Sequence, residues 1–197
     1  MKGFTLIELL VIVAISAMLS AIAITYTSIA RNQVALSVET SKVAQFILRA
    51  KSLAIATYNS APGTCGYGAS FDIANNAYSL FAYNPDPSKY NGAVSPCPSV
   101  ASTTALGISS GEMGQYSQSS WDVSLANGVR MESGGNGNDL ALVLFSPPDP
   151  AVLISRDGQN FLDPALTQNM TSKVHLVTAD GSASTTISVN AAGQVNF

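Results

Sequence analysis

The chain has 197 residues, enough for one domain of ordinary size and too few for two. Charged residues make up only 11% and hydrophobic residues 47%, which excludes charge-rich disorder. From Asn59 to the end, ten acidic residues outnumber four basic ones, a formal charge of −6. This charge disfavours nucleic acid as a partner, because phosphate binding is driven by neutralisation with basic side chains.

The first predicted element is a long apolar helix. Residues 9–30 contain no charge, no proline and no glycine. As a helix they would span about 33 Å, close to the thickness of a hydrocarbon core. The apolar region of a secretory signal is shorter, about 7–15 residues, although the small residues before Ala30 leave cleavage there as an alternative. We therefore predict a membrane span, and Lys2 places its short end in the cytoplasm.

One carboxylate interrupts this apolar sequence. Glu8 stands between Ile7 and Leu9, and a carboxylate within a bilayer costs about 2.5–3.5 kcal/mol at the centre and less near the interface. Such a charge requires a positive partner. If the chain were cut after Gly3, Phe4 would carry an α-ammonium group at nearly the depth of Glu8. A neighbouring copy shifted along the helix axis could then bring its Phe4 ammonium to this Glu8, which predicts helix-to-helix assembly.

Residues 2–10, Lys-Gly-Phe-Thr-Leu-Ile-Glu-Leu-Leu, resemble the class III signal of type IV pilins and type II secretion pseudopilins. The resemblance implies that a prepilin peptidase removes leader residues 1–3 by cutting after Gly3 and methylates the new terminus at Phe4. It implies that Glu8 pairs with the terminus of a neighbouring subunit. The implied partners are other pilin or pseudopilin subunits, the peptidase and the inner membrane, with the carboxyl-terminal domain outside the cytoplasm. The resemblance covers the first thirty residues.

The helical pattern continues beyond the apolar sequence. Apolar residues recur at spacings of three and four, with Glu39, Arg49 and Lys51 expected on other faces. These apolar residues are Val43, Phe46, Ile47, Ala50, Leu53 and Ala54. No glycine or proline interrupts residues 4–61, and Pro62-Gly63 is a stop signal. We predict one helix: 4–30 in the membrane or filament core, and 31–61 as its amphipathic continuation. The alternative is a separate helix after a break near residues 25–27.

Residues 62–197, the predicted head, have the composition of a β-rich domain. The predicted strands are 71–73 paired with 78–83, 139–145, 152–154, 173–178 paired with 185–189, and 195–197. The predicted fold class is therefore α+β, a long helix packed on an antiparallel head. This arrangement resembles GspH/FimT-like minor pilins, whose heads pack two antiparallel sheets against the helix. Some of those bind DNA through a Gly-Arg-x-Arg ending, and residues 193–196 lack both arginines.

Cys65 and Cys97 are the only cysteines. An even count in an exported, turn-rich domain predicts a disulfide between them, with two unpaired thiols as the alternative. The single histidine, His175, excludes a Cys/His metal site, and residues 136–139 are interpreted as an ordinary turn rather than a calcium loop. No Gly-x-Ser-x-Gly motif is present. We therefore predict no cofactor, no metal and no enzymatic activity.

Two functional hypotheses remain. The first is a structural subunit, a minor pilin or pseudopilin, that polymerises through its helix. The second is a tip module that binds DNA or a surface through loops around four tyrosines, Tyr67, Tyr83, Tyr90 and Tyr116. A major pilin, and a membrane-anchored protein that does not assemble, are further alternatives. The anchor hypothesis predicts that Glu8→Ala changes nothing, whereas the structural hypothesis predicts a loss of assembly or methylation.

Overall fold

The computed structural model of the protein describes residues 5–56, 64–84, 113–115, 122–147, 151–158, 161–162 and 171–197. The structural statements below concern these residues. Gly3, Phe4, Cys97, Tyr90 and Tyr116 lie outside them.

A single helix, α1, runs without interruption from Leu6 to Ala56, a length of 51 residues. At 1.5 Å per residue it is about 76 Å long. It remains helical through residues 25–27, so the alternative of a break there is wrong. Its first turn is capped by Thr5, whose hydroxyl oxygen accepts a hydrogen bond from the Glu8 amide at 3.4 Å.

Ten described strands follow the helix and form two antiparallel sheets. They are β1 (Gly66–Asp72), β2 (Ala77–Tyr83), β3 (Met113–Gln115), β4 (Asp122–Ser124), β5 (Val129–Glu132), β6 (Leu142–Ser146), β7 (Ala151–Ser155), β8 (Thr171–Thr178), β9 (Ser184–Asn190) and β10 (Val195–Asn196). The larger sheet has the order β3-β2-β1-β6-β7, and β4 also pairs with β2. The smaller sheet has the order β10-β9-β8-β5. The architecture is α+β, as predicted.

The two predicted hairpins are present, β1–β2 and β8–β9. Strand β1 begins at Gly66, five residues earlier than predicted. Its glycines allow the backbone of β6 to approach closely. A side chain at Gly68 would collide with the backbone oxygen of Val143 on the neighbouring strand β6. The predicted strand 139–145 begins only at Leu142, since Asp139 forms an isolated bridge with Lys173.

The second half of α1 packs against both sheets along the predicted apolar stripe. Val43, Ile47, Ala50 and Ala54 are fully or almost fully buried. Phe46 is partly buried, and its ring meets Tyr78 of β2 edge-on, with ring centroids 4.8 Å apart. The helix therefore serves as the spine of the head, and the core lies between it and the sheets.

The prediction that three charged residues avoid the head-facing side of α1 is only partly right. Arg49 is exposed and Lys51 is half-buried, but Glu39 is 2% exposed. Glu39 lies one turn before Val43 and three residues after the buried Leu36, so it is covered by the sheets together with them.

Candidate assembly site

The apolar first part of α1 has no cover within the fold. Residues Leu6–Ala23 form a helix long and apolar enough to cross a membrane, judged by length and composition, and none of them is buried. A signal sequence passes the same test. What distinguishes this segment is its continuity with a helix whose later turns form the core of the head. Exposure of this much apolar surface calls for a bilayer or for other helices.

Glu8 lies at the start of this segment, with an exposed side chain. Thr5 and Glu8 have the spacing of a capping box, and the described bond of this pair runs from the Glu8 amide to the Thr5 hydroxyl. Its carboxylate also lies in the first helical turn, where the helix dipole favours a negative charge. Within the described part of the chain, Glu8 makes no ion pair. The Glu8 carboxylate is therefore not neutralised by any of the described residues.

Two polar contacts fix the head on the helix at different heights. The Asn32 side-chain amide donates to Asp180 Oδ2 at 2.7 Å, and the Lys51 ammonium donates to the backbone oxygen of Gly193 at 3.3 Å. Hydrogen bonds from Thr178, from Ser182 and from Asn32 hold the pKa of Asp180 well below its ordinary value. The Asp180 carboxylate is therefore charged over the whole neutral range and keeps the β8–β9 turn against α1.

Glu39 is a charged residue that the structure buries on the face of α1 that packs against the sheets. Its Oε1 atom accepts a hydrogen bond from the Lys42 ammonium at 2.7 Å. Among the described residues, its Oε2 atom is buried without a hydrogen-bond partner. Burial, and secondly the charge of Glu39, raise the pKa of Tyr78. The sequence signal that could have located Glu39 is its spacing to the apolar stripe, four residues before Val43.

Two of the four tyrosines proposed as a binding surface, Tyr67 and Tyr83, lie within the described residues, and both are buried. Tyr67 lies in β1 at 2% exposure, and Tyr83 lies in β2 at 1% exposure. Both belong to strands of the larger sheet and not to loops, so the loop placement is wrong for these two residues, and Tyr90 and Tyr116 lie outside the described residues. The two rings lie on opposite faces of this sheet, because Tyr67 is paired with Ala82 and Tyr83 is the next residue along β2. Tyr67 belongs to the core cluster that includes α1, and Tyr83 belongs to a second cluster on the other face.

His175 and the 136–139 turn are occupied by internal contacts. The Nδ1 atom of His175 lies 3.0 Å from the Thr186 hydroxyl. The carboxylate of Asp139 accepts hydrogen bonds from the Ser133 hydroxyl and, at 2.8 Å, from the Gly134 amide. In the described ranges no group of three or more His, Cys, Asp or Glu residues could hold a metal ion.

Cys65 precedes β1 and is buried. Its sulfur is disulfide-bonded, and its backbone amide donates to the Tyr83 oxygen at 2.8 Å. Because Cys97 lies outside the described residues, the Cys65–Cys97 pairing stays a prediction.

Comparison with known proteins identifies the amino-terminal segment. Residues 1–24 match the family described as the prokaryotic N-terminal methylation motif. No curated protein and no solved structure matches the chain. An apolar amino-terminal helix that continues into the core of an antiparallel head is consistent with a pilin-like fold. The chain carries the class III signal of type IV pilins and pseudopilins, and this motif indicates a pilin- or pseudopilin-like precursor.

Proposed function

We propose that the protein is a structural subunit that polymerises through its amino-terminal helix into a type IV pilus or a type II secretion pseudopilus. The observation that carries the proposal is the difference in burial between the two halves of α1. Its second half packs against both sheets of the head, whereas residues Leu6–Ala23 are uncovered and apolar and bear one carboxylate, Glu8, that forms no ion pair with the described residues. Before assembly a bilayer covers this segment, and after assembly the helices of other subunits cover it.

Processing supplies the charge that Glu8 lacks. A prepilin peptidase removes residues 1–3 and methylates the new terminus at Phe4, and the α-amino group of a neighbouring subunit then pairs with Glu8. Before assembly the subunit is anchored in the inner membrane with its head outside the cytoplasm. Oxidising conditions there favour a Cys65–Cys97 disulfide. The methylation motif at residues 1–24 supports this sequence of events.

We assign the subunit to the GspH/FimT-like minor pilins. Support comes from the two antiparallel sheets that pack on one long helix. The burial of Tyr67 and Tyr83 removes half of the aromatic surface on which a tip-binding role was based. The acidic composition of residues 59–197 argues against DNA as a ligand. The pilin-type motif points to a structural protein, and we propose no enzymatic activity.

The substitution Glu8→Gln tests the proposal. Glutamine keeps the capping box, which accepts either residue, so the helix start is preserved while the charge is lost. We expect the variant to reach the membrane normally and to be absent from sheared filaments. The matched control is Ser20→Ala, which removes a polar group of the same segment, a hydroxyl bonded to the Ser16 oxygen, and it should assemble. Normal assembly of Glu8→Gln would contradict the proposal.

A further inference from the structure

The head leaves one face of α1 uncovered. Residues along this face follow each other at spacings of three and four, and we call them the outer stripe. They are Arg31, Val34, Val38, Ser41, Gln45, Leu48, Ser52 and Ile55. All are exposed apart from the half-buried Ser41. The outer stripe lies opposite the buried residues Val43, Ile47 and Ala50. It begins with the charged Arg31 and continues with apolar residues, and after the polar Ser41 and Gln45 in its middle it ends on the apolar Ile55.

The uncovered apolar segment carries a stripe with the same spacing, which we call the lower stripe. Its members are Glu8, Val11, Ile15, Met18, Ile22 and, one heptad further, Ile29. All are exposed, and five of the six are large and apolar. A sustained spacing of three and four is the pattern by which parallel helices pack side by side.

A shift of 23 residues aligns the lower stripe of one chain with the outer stripe of another, member by member. Val11 then lies level with Val34, and Ile15 with Val38. Met18 falls opposite Ser41, and by the same shift Ile29 falls opposite Ser52, so that large residues meet small ones. Small residues at a helix–helix contact allow close approach of the backbones. The corresponding axial displacement is about 34 Å, which is about the length of the uncharged run 9–30.

The same shift aligns the two charges that end the stripes. Glu8 of one copy becomes level with Arg31 of the other. Within the described residues neither side chain makes an ion pair. A carboxylate and a guanidinium brought together at the edge of an apolar contact satisfy each other in bidentate geometry. Any other displacement would place the Glu8 carboxylate against an uncharged or differently spaced position of the outer stripe.

We propose that the outer stripe is the docking surface for the lower stripe of a second copy of this chain. The two helices lie parallel, displaced by 23 residues, and Arg31 is a second cation for Glu8. The inference rests on the proposed function and adds a register to it. The two oxygens of a carboxylate have about four lone-pair sites, so Glu8 accepts hydrogen bonds from the Arg31 guanidinium of one neighbour and also from the Phe4 ammonium of another. Arg31 acts as a positioning residue that selects this register.

Paired cysteines test the register in the full chain. The variants Val11→Cys/Val34→Cys and Ile15→Cys/Val38→Cys place both thiols level in the proposed alignment. A disulfide requires Cα atoms within about 7 Å. The matched control is Val11→Cys/Gln45→Cys, which uses the same two stripes but misses the register by about 16 Å. Filaments from the native cells are treated with an added oxidant, which takes up the two electrons and two protons released when two thiols form a disulfide.

We expect the two matched pairs to give a ladder of covalent multimers and the control pair to give none. Intact filaments in which the matched pairs stay monomeric, or in which the control cross-links equally, overturn the register and leave the proposed function standing. A chain that is neither processed nor assembled overturns both.

The charge pair is tested in the Ile15→Cys/Val38→Cys background. Adding Arg31→Glu should lower the yield of cross-linked multimer on the order of tenfold or more, because a like-charge pair would then face Glu8. Arg31→Lys should restore most of the yield. Arg49→Glu is the control, since Arg49 is exposed on α1 but lies off the outer stripe. Equal yields for Arg31→Glu and Arg49→Glu would refute the role of Arg31.

Discussion

Substitutions at two adjacent residues of α1 can distinguish the packing of the helix against the head from the assembly of the helix with other subunits. Ile47 is 0% exposed and faces the sheets, whereas Leu48 is 48% exposed on the outer stripe. Truncating a fully buried isoleucine to alanine costs about 2–5 kcal/mol, the transfer term plus the cavity left behind. Truncating an exposed leucine in the same helix costs less than about 1 kcal/mol. The two substitutions should therefore differ several-fold in their effect on unfolding.

Thermal unfolding of the full chain in detergent micelles measures the difference. For a chain of this size each kcal/mol lowers the melting temperature by about 2–4 °C. Ile47→Ala should thus lower it by roughly 5–15 °C, and Leu48→Ala by no more than about 4 °C. The effect of Leu48→Ala should appear in assembly. In cells this variant should reduce the yield of filaments without lowering the amount of folded subunit. Equal destabilisation by the two substitutions would refute the placement of the helix against the sheets.

Two further predictions concern the head. Gly193 has a φ of 68° and a side chain there would come within 2.8 Å of Val152, so Gly193→Ala should destabilise the head by about 1–3 kcal/mol more than Gly181→Ala. Gly181 has a similar φ of 70° but open space around it, and equal losses in chemical denaturation would contradict the contact. Because burial and the Glu39 charge raise the pKa of Tyr78, the free energy of unfolding should fall as the pH rises above about 10. Glu39→Gln should lower that pKa in a spectrophotometric titration, and an unchanged pKa would argue against their proximity.

The helix could be predicted from the sequence because its causes are local. The absence of glycine and proline over residues 4–61 and the apolar recurrence around Ile47 depend on neighbours within two turns. The β8–β9 hairpin could also be predicted from the sequence. Apolar and polar residues alternate on both sides of Asp180-Gly181, and this pattern indicates both the position of the turn and which side of each strand is buried. For such elements the sequence and the structure agree because no distant contact overrides the local preference.

The start of β1 and the strand β5 could not be predicted, for reasons that lie in tertiary contacts. Glycines at positions 66 and 68 are typical of a loop, and only the close approach of β6 shows why they stand in a strand. Strand β5 is four residues long, and its pairing with β8 and the bond from the Met131 amide to Asn76 Oδ1 hold it in place. The burial of Glu39 and Tyr83 likewise depends on which surfaces meet, and no local pattern specifies that.

In the candidate site, too, some residues could be predicted from the sequence and others required the structure. The prediction for Gly3, Phe4 and Glu8 rests on a linear motif in which spacing alone carries the information, and the family match at residues 1–24 covers that motif. The outer stripe has no such signature. Its residues become a surface only when the head is known to cover the opposite face of α1, which makes the structure necessary for the proposed register.

The central claim is that the chain is processed as a pilin-type subunit. Its most direct test is the intact mass and amino-terminal sequence of the protein recovered from its own cells. The account predicts loss of Met1-Lys2-Gly3 and one added methyl group on Phe4. A terminus just after Ala30 would mean ordinary secretion, and the roles assigned to Glu8 and the lower stripe would fall. An uncut chain would contradict assembly and leave a membrane anchor.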